Sequence, residues 1–288
     1  MEVIIQPDVM AATRLVARLI AKALRQNPPL VLGLATGRTM ENVYALLADM
    51  HKQEGLDFAH CRTFNLDEYV GLPPENNHSY RFYMNHHLFS KVNIDRRNTH
   101  LPDGMADDLD AACARYELAI RQAGGIDFQL LGIGHDGHIG FNEPLSALRS
   151  RTRAKTLTPQ TVAANGPLFG DTQCMPRRAL TMGVGTILDS KRCVLVATGT
   201  NKAAILTKAV EGPITAMVSA SALQLHPHCT IVVDEEAAAR LEGKDYYRFI
   251  FQNEPEWQEF QLKSDRDRTT VSDFRQTTMS PLPSPATD

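Results

Sequence analysis

LVLGLATGRTMENVYALLADMH, residues 30–51, is the stretch on which the reading of the fold turns. Residues 30–34 are an apolar run with a glycine inside it, the pattern of a strand covered on both faces. Ala35-Thr36-Gly37-Arg38-Thr39 is a turn, and a helix is expected from about residue 40 to 51. Strand, glycine turn and helix in that order make one unit of a wound parallel sheet.

The same alternation extends in both directions. Upstream, residues 3–5 read as a strand, and residues 8–25 repeat Met10, Leu15, Val16, Leu19, Ile20 and Leu24 at helical spacing until Pro29. Downstream, a strand at 63–66 ends on the acidic pair Asp67-Glu68. Helices follow near 80–88 and 109–123, and the apolar run DFQLLGI at 127–133 is the next buried strand. Further strands are expected at 155–158, 179–182, 193–197 and 230–233, with a helix from about 201 to 210. The expected fold is α/β: a single Rossmann-like domain, a mostly parallel sheet flanked by helices on both faces, spanning residues 1–262. Residues 263–288 turn to Ser, Thr, Asp, Arg and Pro and end in MSPLPSPATD, so a disordered tail is expected there.

Bulk properties narrow the function classes. The 288 residues carry 43% hydrophobic and 22% charged side chains and a net charge of −3, which gives a nucleic-acid binder no basic surplus to work with. The first ten residues have an acid and a proline but no basic region ahead of an apolar one, and no apolar run is long enough for a membrane span. A soluble, cytoplasmic enzyme is expected. Cys61, Cys113, Cys174, Cys193 and Cys229 form no CxxC pair and read as reduced thiols packed as small apolar residues.

Three loops follow expected strands at their carboxyl ends, where open α/β sheets bind ligands. Gly33 to Thr39 feeds a helix N-terminus, whose unpaired N–H groups suit a phosphate, although it is neither a Walker A loop nor GxGxxG. Asn65-Leu66-Asp67-Glu68-Tyr69 offers a general base at either acid, and spacing does not choose between them. Gly134 to Pro144 (GHDGHIGFNEP) packs two histidines, two acids and three glycines into one loop, a proton-transfer constellation. A metal held by His135, Asp136 and His138 is the rival reading there, but the spacing is not that of the usual zinc sites.

At this loop the chain resembles the glucosamine-6-phosphate deaminases, also called glucosamine-6-phosphate isomerases. LATGRT at 34–39, FNLDEYVGL at 64–72, GIGHDGHIGFNEP at 132–144, SRTRAKTLT at 150–158, ALTMGVGTIL at 179–188, GTNKA at 199–203 and LQLHP at 223–227 carry the resemblance in order. It implies conversion of glucosamine 6-phosphate and water to fructose 6-phosphate and ammonia, with no cofactor and no metal. By position, His138 matches the residue that opens the sugar ring, Asp136 and Glu143 the acids supporting it, and Asp67 the base that moves a proton from C2 to C1. Thr36, Gly37, Arg38, Thr39 and Lys202 match the phosphate cradle. The family's loop commonly reads TGGTP or TGSTP. Its phosphate-gripping arginine falls at Pro167 here, so Arg38 is expected to supply the guanidinium instead.

Some members are homo-oligomers, hexamers among them, activated by N-acetylglucosamine 6-phosphate between subunits. Ser146, Arg153, Lys155 and Thr156 match that effector site, with Ala147 replacing a usual serine. The same chemistry on another amino-sugar phosphate, such as galactosamine 6-phosphate, is the nearest alternative. A 6-phosphogluconolactonase would follow its D-G-H with A-S-L-F-P and carry D-E-R, where this chain has I-G-F-N-E-P and D-E-Y. A non-catalytic sugar-phosphate sensor would be expected to carry a helix-turn-helix, whereas a strand is expected from Val3.

Overall fold

The computed structural model describes residues 1–170 and 175–261. These residues cluster into two compact units, the first from Met1 to Lys244 and the second from Asp245 onward. The expected tail, and Cys174, lie outside the described residues.

The first unit runs β1 (Glu2–Gln6), α1 (Val9–Gln26), β2 (Val31–Leu34), α2 (Arg38–Glu54), β3 (Arg62–Asn65), β4 (Asp67–Tyr69), α3 (Tyr80–Met84) and β5 (Thr99–His100). It continues with α4 (Leu109–Gln122), β6 (Phe128–Leu131), β7 (Arg153–Thr156), α5 (Pro159–Asn165), β8 (Arg178–Thr181), α6 (Val184–Leu188), β9 (Cys193–Ala197), α7 (Ala203–Val210) and β10 (Cys229–Asp234). Seven strands form one sheet in the order β1-β10-β9-β6-β2-β3-β5, parallel throughout. β2, β6, β9 and β10 are buried along their whole length, as apolar strands covered on both faces must be. Gly33 pairs with Gln129 near the sheet centre and leaves room for its side chain. A Cβ on Gly33 would lie 2.1 Å from the Gln129 amide oxygen.

The expected strands near 155–158 and 179–182 form, but outside that sheet. They are β7 and β8, joined antiparallel with β4 in a separate sheet ordered β4-β8-β7. β7 is only half-buried and reads RAKT, too polar for a position covered on both sides. Leu66 couples the two sheets, donating its N–H to Leu34 O in the main sheet and accepting from Met182 N–H at 2.7 Å. The chain therefore leaves the parallel sheet at Leu66 and enters the small one at Asp67.

α1 starts where Asp8 Oδ1 accepts from Ala11 N–H at 2.8 Å, and it buries Leu15, Val16, Leu19 and Ile20. α2 ends on Gly55, left-handed at φ 67°. It begins at Arg38, two residues before the expected start, which puts Arg38 and Thr39 in its first turn. Cys61, Cys113, Cys193 and Cys229 are buried free thiols whose pKa values are raised, chiefly by burial.

The second unit holds α8 (Lys244–Asn253) from Asp245 on and then a turn of 3-10 helix, Pro255–Trp257, with the Trp257 ring 5.9 Å from Phe251 and 5.8 Å from Phe260. No described helix is long and apolar enough to cross a membrane.

Candidate active site

Four adjacent strands, β9, β6, β2 and β3, deliver their carboxyl-end loops to one crevice. After β2 the chain winds to β3 and β5 on one side and returns to β6 on the other, so the crevice lies at the topological switch point.

The β2 loop ends at Gly37, whose φ of 115° suits glycine and which caps α2 without any side-chain hydrogen bond. Met40 N–H donates to Gly37 O at 2.9 Å, so it is the N–H groups of Arg38 and Thr39, at the start of a 17-residue helix, that are left open to a ligand. Two tyrosines fix the loop: Tyr83 donates to Gly37 O at 2.8 Å, and the buried Tyr44 hydroxyl donates to Ala35 O. Arg38 is exposed and has no ion-pair or hydrogen-bond partner among the described residues. Across the crevice, Lys202 follows β9 in a turn of 3-10 helix held by Asp234, both of whose oxygens accept from Gly199 N–H at 3.0 Å. The Lys202 ammonium donates to Ile133 O at 2.7 Å, and burial lowers its pKa.

Asp67 and Glu68 are both buried, at 6% and 4% exposure, yet their surroundings differ. Glu68 accepts three backbone N–H bonds at 2.9 Å, from Tyr69, Tyr80 and Arg81, and so ties β4 to the start of α3. Asp67 has no such clamp and lines the crevice. Burial first, and the Glu68 carboxylate second, push its pKa up to about 8, while the His138 charge pulls the other way. Gly140, at φ 56°, brings the next loop against it: a Cβ there would lie 3.5 Å from Asp67 Oδ2 and 2.8 Å from Thr181 Oγ1.

That loop, after β6, holds His138. Its ring lies across Gly134, where a Cβ would approach it to 2.4 Å. Nδ1 stands 2.7 Å from Asp136 Oδ1 and 3.5 Å from Glu143 Oε2, as a close ion pair rather than an in-line hydrogen bond. Asp136 Oδ1 also accepts from the His138 backbone N–H at 3.1 Å. Glu143 is fixed from behind by Thr158, through its N–H and its hydroxyl, both at 3.2 Å. Burial opposes the imidazolium, but the two acids outweigh it and hold the His138 pKa up at about 9. Nε2 has no partner among the described residues and is the nitrogen left for a substrate. The atoms of Asp136, His138 and Glu143 that could hold an ion lie within 4.8 Å of one another. His135 stands outside that group, so the metal set weighed from spacing, His135 with Asp136 and His138, is not what the fold gathers.

The cavity formed by these loops has a volume of about 840 Å³, within the range of small-ligand sites. Thr36, Gly37, Arg38, Thr39, Asp67, Asp136, His138 and Lys202 line it, and Glu143 sits behind His138. Its far wall was not foreseen from sequence. Tyr69 packs against Tyr80, Phe141 and Phe169, while His78 stacks on Phe169 at 4.5 Å. The Tyr80 hydroxyl reaches Tyr69 at 3.3 Å, and Asn165 Nδ2 donates to Tyr69 at 3.3 Å. Asn165 comes from α5, whose start is signalled by Thr158 as N-cap and Pro159 at the first helical position.

The four effector positions do not line this cavity. Ser146 is buried with an unpartnered hydroxyl, and Arg153 donates to Asn142 Oδ1 at 2.9 Å. Arg153 and Lys155 share one face of β7, with Thr156 on the other.

Buried acid, charged histidine and an open helix N-terminus around one crevice define a class: α/β enzymes that shuttle protons on a phosphorylated small molecule. Comparison narrows the class. Residues 8–232 match the family described as glucosamine-6-phosphate isomerases/6-phosphogluconolactonase, and the chain belongs to it. A glucosamine-6-phosphate deaminase of Arthrobacter sp. (strain FB24) is 50% identical over 258 residues, 90% of this chain and 99% of that protein. One from Cellvibrio japonicus (strain Ueda107) is 48% identical over 250 residues, covering 87% and 95%. Among solved structures, a monomeric glucosamine-6-phosphate deaminase superposes with TM-score 0.82 at 43% identity, over 83% of this chain and 100% of that one. The 6-phosphogluconolactonase of Trypanosoma brucei shares the fold, with TM-score 0.63 at 20% identity, over 83% and 98%.

Proposed function

We propose that this enzyme converts glucosamine 6-phosphate and water to fructose 6-phosphate and ammonia. The carrying observation is the pairing of a buried, high-pKa carboxyl at Asp67 with a charged imidazole at His138 in one cavity. The relatives it matches over nearly their whole length support the same reading.

Ring opening needs a proton taken from the anomeric hydroxyl and one given to the ring oxygen. His138 suits both, because Asp136 and Glu143 hold its Nδ1 side and leave Nε2 to the sugar. In the open chain Asp67 takes the proton from C2, the aldehyde oxygen gains a proton, and an enolamine forms. Returning the proton to C1 gives a C2 iminium. Water adds to C2, the C–N bond breaks and ammonia leaves a ketone. No electrons are exchanged with an external acceptor. A desolvated carboxylate of raised pKa is a stronger base toward a carbon acid than a solvated one.

The 6-phosphate is assigned to the first-turn N–H groups of α2 with Thr36, Gly37, Thr39, Lys202 and the unpaired Arg38 guanidinium. Among the described residues the opposite wall, with His78, Gln160, Asn165 and Phe169, carries no Lys or Arg. A panel of amino-hexose 6-phosphates scored for ammonia tests the substrate. Faster release from galactosamine 6-phosphate than from glucosamine 6-phosphate would transfer the assignment to that sugar.

The effector reading stays with Ser146, Arg153, Lys155 and Thr156, together with the homo-oligomer it requires. Titration of N-acetylglucosamine 6-phosphate at subsaturating substrate tests it. Activation supports it, and superposable rate curves remove it. The structural relative described as monomeric favours the second result, since a site between subunits needs a second subunit. A cytoplasmic location fits an enzyme of sugar-phosphate metabolism, and fractionation checks it.

A further inference from the structure

His135 has no part in the proton transfers above. It is exposed, lines the cavity, and has no hydrogen bond or ion pair among the described residues. The Lys202 ammonium is anchored two residues before it, donating to Ile133 O at 2.7 Å, and lines the same cavity; its charge, ahead of burial and of His138, lowers the His135 pKa, while Asp136 acts the other way. Arg38, unpaired, lines the same cavity, and the open N-terminus of α2 adds positive potential. Like charges facing one hollow repel each other unless an anion lies among them.

We propose that His135 is a binding residue for the substrate phosphate, which lies between it and Lys202, so that binding takes up a proton. This rests on the phosphate end of the cavity assigned under Proposed function. An opposite charge at contact distance raises an imidazole pKa by roughly one to three units. The bound pKa then exceeds the free one. Between the two, affinity falls as pH rises, by roughly tenfold or more in total. The His135 contribution is flat below the free value and above the bound one, and the phosphate's own protonation near pH ~6 is common to the wild type and the variant. The other groups facing the ring, namely Lys202, Asp136 and His138, are common to the wild type and to a His135 variant, so the difference between them isolates His135.

The test is calorimetric titration of the whole enzyme with glucitol 6-phosphate, which carries the phosphate but cannot isomerise. It is run at pH 7.5 in two buffers of different ionisation enthalpy. The wild type is expected to take up a measurable fraction of a proton, and His135→Gln to lose most of that uptake, with Kd weakened roughly threefold to tenfold near pH 6.5. His135→Lys, which keeps a fixed charge, is expected to bind tightly without uptake. Equal uptake in the wild type and His135→Gln, or an unchanged Kd–pH curve, overturns the proposal. Ammonia release from glucosamine 6-phosphate is scored separately. If uptake depends on His135 but no ammonia appears, the functional reading fails and the phosphate contact stands. If ammonia appears but uptake does not depend on His135, this proposal fails alone.

Discussion

Two neighbouring carboxylates, Asp67 and Glu68, have opposite fates because of what surrounds them. Burial raises both pKa values, but three N–H groups hold the Glu68 carboxylate and offset part of that, while Asp67 at the cavity wall has no such donors. Spacing could not separate them, since the deciding donors at Tyr80 and Arg81 lie in another element. Asp67→Asn is expected to abolish solvent exchange at C2, by at least about 10³-fold, whereas Glu68→Gln keeps exchange within about tenfold. The thermal shifts should run oppositely. Glu68→Gln disrupts a clamp and lowers Tm. Asp67 has a folded pKa above its unfolded value, so its contribution favours folding at low pH and is lost as pH rises through about 8. Asp67→Asn should therefore raise Tm at pH 8, by about 3 °C or more. Catalysis needs Asp67 ionised and His138 charged, so kcat/KM should be bell-shaped, rising near pH 8 and falling near pH 9, with limbs belonging to the coupled pair. A profile flat from pH 6 to 10 would remove that assignment. Arg38→Ala should raise KM for the sugar phosphate by roughly 10–100-fold with kcat changed far less, the loss of a charge-assisted contact.

Among elements, short connectors position the chemistry. Glu117 on α4 is one anchor: its Oε1 accepts from the Thr152 and Thr186 hydroxyls, both at 2.6 Å, and its Oε2 from Arg151 at 2.6 Å. It fastens the segment leading into β7 to α4 and α6, beside Arg153 and the Asn142–Glu143 corner. Burial opposes the carboxylate, but these bonds hold its pKa below the ordinary value, so the stabilisation is present above about pH 4.5 and lost as pH falls through the depressed folded value. Glu117→Ala is expected to cost roughly 2–4 kcal/mol in chemical denaturation at pH 7, because it orphans two buried hydroxyls. A cost below about 0.5 kcal/mol would contradict the anchor. The long elements were legible, since α1, α2 and α4 declare themselves by period and the buried strands by continuous apolar runs. The missed pieces were short. Thr158 read as the last residue of a strand is in fact the cap of α5, and β4 is three residues whose pairing with β8 depends on a segment more than a hundred residues away.

Over the whole first unit, strand order explains why residues as distant as Thr36, Asp67, His138 and Lys202 meet: β2, β3, β6 and β9 are consecutive in the sheet, and their loops open at its switch point. The parallel class could be read from apolar runs alternating with helical ones. That order could not, nor could the transfer of Asp67 into a second sheet, because both are set by long-range pairing rather than local pattern. The aromatic wall around Tyr69, and an Arg38 without a partner among the described residues, likewise appear only in three dimensions. The most direct test follows turnover of glucosamine 6-phosphate in heavy water by magnetic resonance. Expected are ammonium and fructose 6-phosphate in one-to-one ratio, with the new C1 hydrogen coming from C2 through Asp67, or from solvent where Asp67 exchanges its proton first. Absence of ammonium, or ammonium well short of the fructose 6-phosphate formed, would contradict the assignment.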